Sequence, residues 1–139
     1  MNKGFTLVEL ISVIIILAIL SLITTPVITG TIEKSRQKAA LDSASKYKDA
    51  VDNQIISNQM RTSVMKKINS GVYDVPMDSE YGVSFKGDAP TSGWVVVSEN
   101  RVISYSLVFK EKYLVNYDGE KRTIEVKKGI EPIEKPEIN

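Results

Sequence analysis

The chain has 139 residues, with 18 Lys and Arg against 17 Asp and Glu, and it contains neither histidine nor cysteine. That near balance argues against a polyanion-binding surface, nucleic acid included, as the main business of the protein. Without His or Cys, neither a Ser-His-Asp triad nor a Cys-His pair can be built, soft metal sites lose their preferred ligands, and a disulfide framework is excluded. The inventory speaks against an enzyme, and no cofactor or metal is expected.

In chain order the first element is Lys3-Gly4-Phe5-Thr6-Leu7-Val8-Glu9, followed by an apolar run to Ile28. No charge occurs from Leu10 to Ile32, and only Ser12, Ser21, Thr24, Thr25 and Pro26 interrupt the aliphatic residues up to Ile28. About 20 such residues in a helix cover the roughly 30 Å hydrocarbon core of a bilayer. The odd residue is Glu9, whose carboxylate would cost about 2.5–3.5 kcal/mol if isolated in that core. Two ordinary readings compete. A secretory signal peptide has a shorter apolar region and a small-residue cleavage site, which this run lacks. A plain single-pass anchor leaves Glu9 without an explanation.

Those residues carry a resemblance. A short leader ending in Lys3-Gly4, then Phe5-Thr6-Leu7-Val8-Glu9 and an aliphatic helix, resembles the N-terminus of type IV prepilins, a family that includes the pseudopilins of type II secretion and DNA-uptake machines. Pro26 also falls where many members carry a proline. The resemblance covers about the first thirty residues; the rest agrees only in general layout. It implies that a prepilin peptidase and methyltransferase cuts between Gly4 and Phe5 and methylates the Phe5 amine. It implies that Glu9 helps subunits add to a helical filament, with a pilus assembly platform in the cytoplasmic membrane and possible minor pilins as partners. Before assembly the chain would sit in membrane lipid, and afterwards in a surface pilus. An inside N-terminus also comes from the resemblance. The positive-inside count sets Lys3 and the terminal amine against Lys34, Arg36 and Lys38, and does not give that orientation. With no cysteine, the chain departs from pilins that close a C-terminal loop by a disulfide, and so resembles the disulfide-free pilins of Gram-positive type.

The organisation expected is a leader at 1–4, a transmembrane and filament-core helix at 5–30, and an extracellular head at 31–139. Pro26 lacks the N–H for an i−4 bond, and Gly30 adds softness, so a helix break in the form of a kink or melted turn is expected around 24–30. Whether it acts as a hinge stays open. The head begins with an amphipathic helix over 31–70, where Ala40, Ala44, Tyr47, Val51 and Ile55 form one face and Asp42–Lys46 and Lys48–Asp52 pair on the other. At 1.5 Å per residue, Phe5 to Ile56 would make a rod of about 78 Å. Met60, Val64 and Ile68 continue the spacing, with Ser57-Asn58 a weak point.

Gly71 ends the helical pattern. Residues 71–92, with Pro76, Gly82, Gly87 and Pro90, read as a surface loop with one short strand at Val83–Phe85. Residues 93–128 then read as an antiparallel sheet. Trp94–Ser98 turns at Glu99-Asn100. Val102–Phe109 follows with Ile103, Tyr105, Leu107 and Phe109 on one face. Tyr113–Tyr117 is joined through a primed turn at Asp118-Gly119 to Arg122–Lys127, with Ile124 and Val126 inward. The tail 129–139, with Pro132 and Pro136, reads as an extended strap or a frayed end. The fold class is α+β: a long N-terminal helix packed on a C-terminal antiparallel meander of three to four strands.

The candidate chemistry centres on Glu9 and the Phe5 amine that cleavage would release. A neighbour shifted along a filament axis could present that amine to Glu9, and such a pair would select register among apolar helices that otherwise slide. The weaker candidates are three. Lys34, Arg36, Lys38, Lys46 and Lys48 could meet headgroups or DNA, or form a solvated face. Asp74, Asp78 and Glu80 could hold a hard cation, or be a solvated loop. Trp94, Tyr105 and Tyr117 could form a sugar platform, or be core and cross-strand pairs. The leading function is a structural subunit of a type IV pilus supporting adhesion, aggregation or surface motility. The alternatives are a pseudopilin of a secretion or DNA-uptake machine, and a membrane-tethered binding domain that never polymerises.

Overall fold

In the computed structural model the described residues are 4–60 and 65–137, without the side chains of 24–27. The chain forms two compact units, Met1–Arg36 and Gln37–Asn139. A single helix, α1 (Leu7–Met60), runs through the first and into the second. In the first unit the described large apolar side chains, from Phe5 through Ile32, are exposed, with no protein core to take them up. A helix this long and apolar is stable only against lipid or other apolar helices.

The second unit is built on the expected stripe. Ala40, Ala44, Tyr47, Val51 and Ile55 are all buried, and both expected ion pairs form on the same stretch, Lys46–Asp42 at 2.7 Å and Lys48–Asp52 at 2.6 Å. Residues 65–70, expected in the helix, are non-helical, and 61–64 lie outside the described residues. Val64 lies outside the described residues, and Ile68 is buried from a non-helical segment. Asn58 ties the described end of α1 to the chain that follows. Its buried side-chain amide donates to the Lys66 carbonyl and its carbonyl accepts from Gln54.

Facing the stripe is one antiparallel meander in the order β1-β2-β3-β4-β5: β1 (Gly71–Asp74), β2 (Ser92–Ser98), β3 (Arg101–Phe109), β4 (Tyr113–Tyr117) and β5 (Arg122–Val126). This is one strand more than expected. The segment read as a surface loop instead holds edge strand β1 and the short helix α2 (Asp78–Tyr81). It also drives Val75, Met77 and Val83 into the core, and the strand expected at Val83–Phe85 is a non-strand segment of which only Val83 is buried. Tyr47 ties it to α1: its hydroxyl accepts from the Met77 N–H at 3.0 Å, and its ring meets Phe85 edge-on at 5.3 Å.

The alternation expected for β3 slips once. The β2–β3 register shifts between Val96 and Val97, which pair with Ser104 and Val102, leaving Ile103 as the extra residue of a bulge. A one-residue slip exchanges faces. Val102 is therefore 2% exposed and Ile103 38%, while Tyr105, Leu107 and Phe109 stay inside. The Val102 N–H at the bulge donates to Asp52 Oδ1 of α1 at 2.6 Å, and the other oxygen of that carboxylate takes Lys48. On β5, Ile124 packs against the core, but Val126 is exposed. The β4–β5 connection is a four-residue loop rather than a two-residue primed turn. Asp118 Oδ1 accepts from the N–H groups of Glu120 and Lys121, closing an Asx turn, and these bonds hold its carboxyl below the ordinary range.

The tail is a strap. Lys127 N–H donates to Lys112 O and Gly129 N–H to Glu111 O. Then the chain crosses the sheet face opposite α1, where Trp94, Val96, Ser106, Val108 and Leu114 are buried. There the Trp94 indole N–H donates to Ile133 O at 2.8 Å, and Ile133 N–H to Ser106 Oγ at 3.1 Å. Lys135 Nζ ends the crossing on Asp74, at 2.8 and 2.9 Å from its two oxygens. These contacts hold the C-terminal end without a disulfide.

Candidate functional site at the N-terminus

The start of α1 is set by Thr6. Its side-chain oxygen accepts from Glu9 N–H at 3.3 Å, and Glu9 Oε2 reaches back to the Thr6 N–H at 2.8 Å. The Thr6 hydroxyl also donates to Glu9 Oε2 at 2.8 Å. This is a reciprocal capping box: a Thr and a Glu three residues on satisfy two of the orphan donors that a helix start leaves. The carboxylate also sits in the first turn, where the helix dipole favours negative charge.

Thr6 is the residue that the sequence reading did not single out, although Thr-x-x-Glu ahead of an apolar run is its signature. It changes the account of Glu9. In a single copy the carboxylate has its own donors within one turn, so a cationic partner is an addition and not a precondition for folding. Phe5 is 91% exposed, and Gly4 has open space where a side chain would stand. The Gly4–Phe5 bond is therefore free of packing. Lys3 and the rest of the leader lie outside the described residues. Around Glu9 the exposed side chains are Leu7, Val8, Leu10 and Val13, an apolar surface with one anionic point.

Further along the span, the Ser12 hydroxyl donates to Val8 O at 2.8 Å and that of Ser21 to Leu17 O at 2.7 Å. These polar groups are satisfied within the helix, as a lipid environment requires. The backbone of α1 is helical across Pro26 and Gly30. The break expected around 24–30 is not seen in the helical backbone, the Pro26 side chain lies outside the described residues, and Gly30 stands inside the helix with open space beside it.

The weaker candidates do not come together. Asp74 is engaged by Lys135 and Glu80 by Lys66, and no cluster able to hold a metal ion is found among the described residues. Trp94 lies under the strap, whereas Tyr105 and Tyr117 stack on each other at 5.3 Å, with Tyr105 in the core under α1. They cannot form one sugar platform. Within the basic stretch, Lys46 and Lys48 are paired as described, and Lys34, Arg36 and Lys38 are exposed.

Residues 1–25 match the model of the prokaryotic N-terminal methylation motif. Over that stretch the chain is similar to type IV pilin-like precursors. Comparison with curated proteins and with solved structures gave no match. A motif of this kind implies processing by a prepilin peptidase and assembly with other pilins. The motif and the apolar first unit fit membrane anchoring before assembly. The α+β layout, one long helix against an antiparallel sheet, is that of type IV pilins.

Proposed function

We propose that the chain is a structural subunit of a type IV pilus. It is cut between Gly4 and Phe5, methylated on the Phe5 amine, anchored by residues 5–30 with the N-terminus inside, and then drawn into a surface filament. The observation that carries this reading is Glu9, the one anionic group on the apolar stretch from Phe5 to Ile32 and already held at the helix start by Thr6.

The capping box gives the two stages a physical account. In the lone subunit, the Thr6 donors lower the cost of carrying a carboxylate into lipid. In the filament, the Phe5 amine of a neighbour adds a charge-assisted partner, stronger than a neutral donor. Burial of residues 10–28 against like helices supplies cohesion, and the amine–carboxylate pair selects the axial step. Contacts that do not close on themselves give a filament instead of a ring.

Mass spectrometry of the native N-terminus tests the reading. The expected product begins at N-methylated Phe5 and lacks Met1 to Gly4; a retained Met1 contradicts it. The pseudopilin alternative shares this N-terminus, and imaging of cells for long fibres lost on deletion separates the two.

A further inference from the structure

The strap is the part of the head that its function has not absorbed. It lies outside the sheet ladder: after Gly129 it is seated by two side-chain hydrogen bonds, from Trp94 and to Ser106, and one exposed ion pair, Lys135–Asp74. Its pivot is Gly129, at φ 69° with open space where a side chain would stand, so the chain can swing there without a clash. The face it covers needs a cover. Val96, Val108 and Leu114 are buried there, and a lifted strap would leave the Trp94 N–H and the Ser106 hydroxyl without partners against apolar neighbours. The group that fits is the main chain of an extended segment with small apolar residues at alternate positions, as Ile130 and Pro132 are placed. In an array of identical subunits, each neighbour carries that same segment.

We propose that, in the polymer, the strap of each copy seats on the outer sheet face of an adjoining copy, so that the heads are linked by exchanged C-terminal segments. This rests on the filament reading. The exchange keeps every contact of the closed form and adds a tie between heads, the low-cost route by which a terminal element joins protomers. Nine residues from Gly129 to Glu137 can reach about 30 Å when extended, more than the roughly 19 Å width of a five-stranded sheet.

The Asp74–Lys135 pair supplies a test without engineered cysteines. A carbodiimide activates the Asp74 carboxylate; the Lys135 amine displaces the activating group as a urea and leaves an amide between the two side chains. Two variants, Asp74→Ala and Lys135→Ala, each lose the pair within one chain, and since the pair is exposed, neither loss threatens folding. The two are co-expressed, and the fibres are isolated and treated. Exchange predicts an Asp74–Lys135 cross-linked peptide joining two chains, at about a quarter of the wild-type yield because only one of the two orders of adjacent unlike copies can form it. It also predicts that wild-type fibres give a ladder of multimers in a denaturing gel. Fibres whose wild-type cross-link stays within monomers, with none in the mixture, overturn exchange and leave the filament reading standing. A wild-type chain that makes no fibres removes both.

Discussion

Asp52 joins α1 to the β3 bulge with one carboxylate: it receives the Val102 N–H freed by the bulge and pairs with Lys48 one turn away on its own helix. Asp52→Ala leaves that N–H and the Lys48 ammonium short of a partner. The expected cost is about 2 kcal/mol, read by urea denaturation of residues 37–139, with Asp52→Asn milder because its side-chain oxygen can still accept. The tyrosines give a second prediction at this scale. Burial pushes the phenols of Tyr47 and Tyr105 up to about 12. Against an ordinary value of about 10, the unfolded chain gives up these protons first. Stability is therefore intact below pH about 10 and falls as pH rises through about 12. Spectrophotometric titration of the folded head should show the Tyr47 and Tyr105 phenols ionising only as pH approaches about 12. Ionisation of Tyr47 and Tyr105 at the ordinary value in a folded head would contradict the burial assigned to them.

Among the elements, the β2–β3 pair is the most constrained. Gly93 has φ 135°, and a methyl group there would stand 2.1 Å from Ser106 O. Gly93→Ala must push the two strands apart, at about 3 kcal/mol, and should lower the melting temperature of the head by many degrees. Trp94→Phe is the gentler probe of the strap. It keeps the apolar ring but removes the bond to Ile133 O, for about 1 kcal/mol.

How much of this was legible follows from which signals are local. The stripe Ala40 to Ile55 and the runs of β3 and β4 have a period that survives in the sequence, so α1 and the middle of the sheet could be read from it. Strand β1 could not: it is four residues long, opens on a glycine and precedes Pro76. The bulge at Ile103 depends on pairing with β2, a long-range fact that no local alternation contains. The outer layer was hidden too, because Ile130, Pro132 and Ile133 have no period and act through main-chain groups. At the site, Glu9 and Phe5 stood out by charge and position, whereas Thr6 passed unnoticed although its spacing to Glu9 was in plain view.

For the whole molecule, the division at Arg36 and Gln37 separates an apolar helix with no core of its own from a unit with a complete one. A fragment of residues 37–139 should therefore be soluble, with helix and sheet signatures in circular dichroism and cooperative unfolding. A fragment without cooperative unfolding would show that the head needs the N-terminal helix. The first unit has the opposite character: its apolar surface is exposed, and in the proposed filament Glu9 is the group that distinguishes lipid from other copies. The direct measurement is fibre yield from Glu9→Ala in cells where processing and membrane insertion are followed alongside. The account predicts a processed, membrane-inserted subunit whose fibres fall at least about tenfold, the effect of losing about 1.4 kcal/mol or more per added copy. Fibres at the wild-type level from that variant would contradict it.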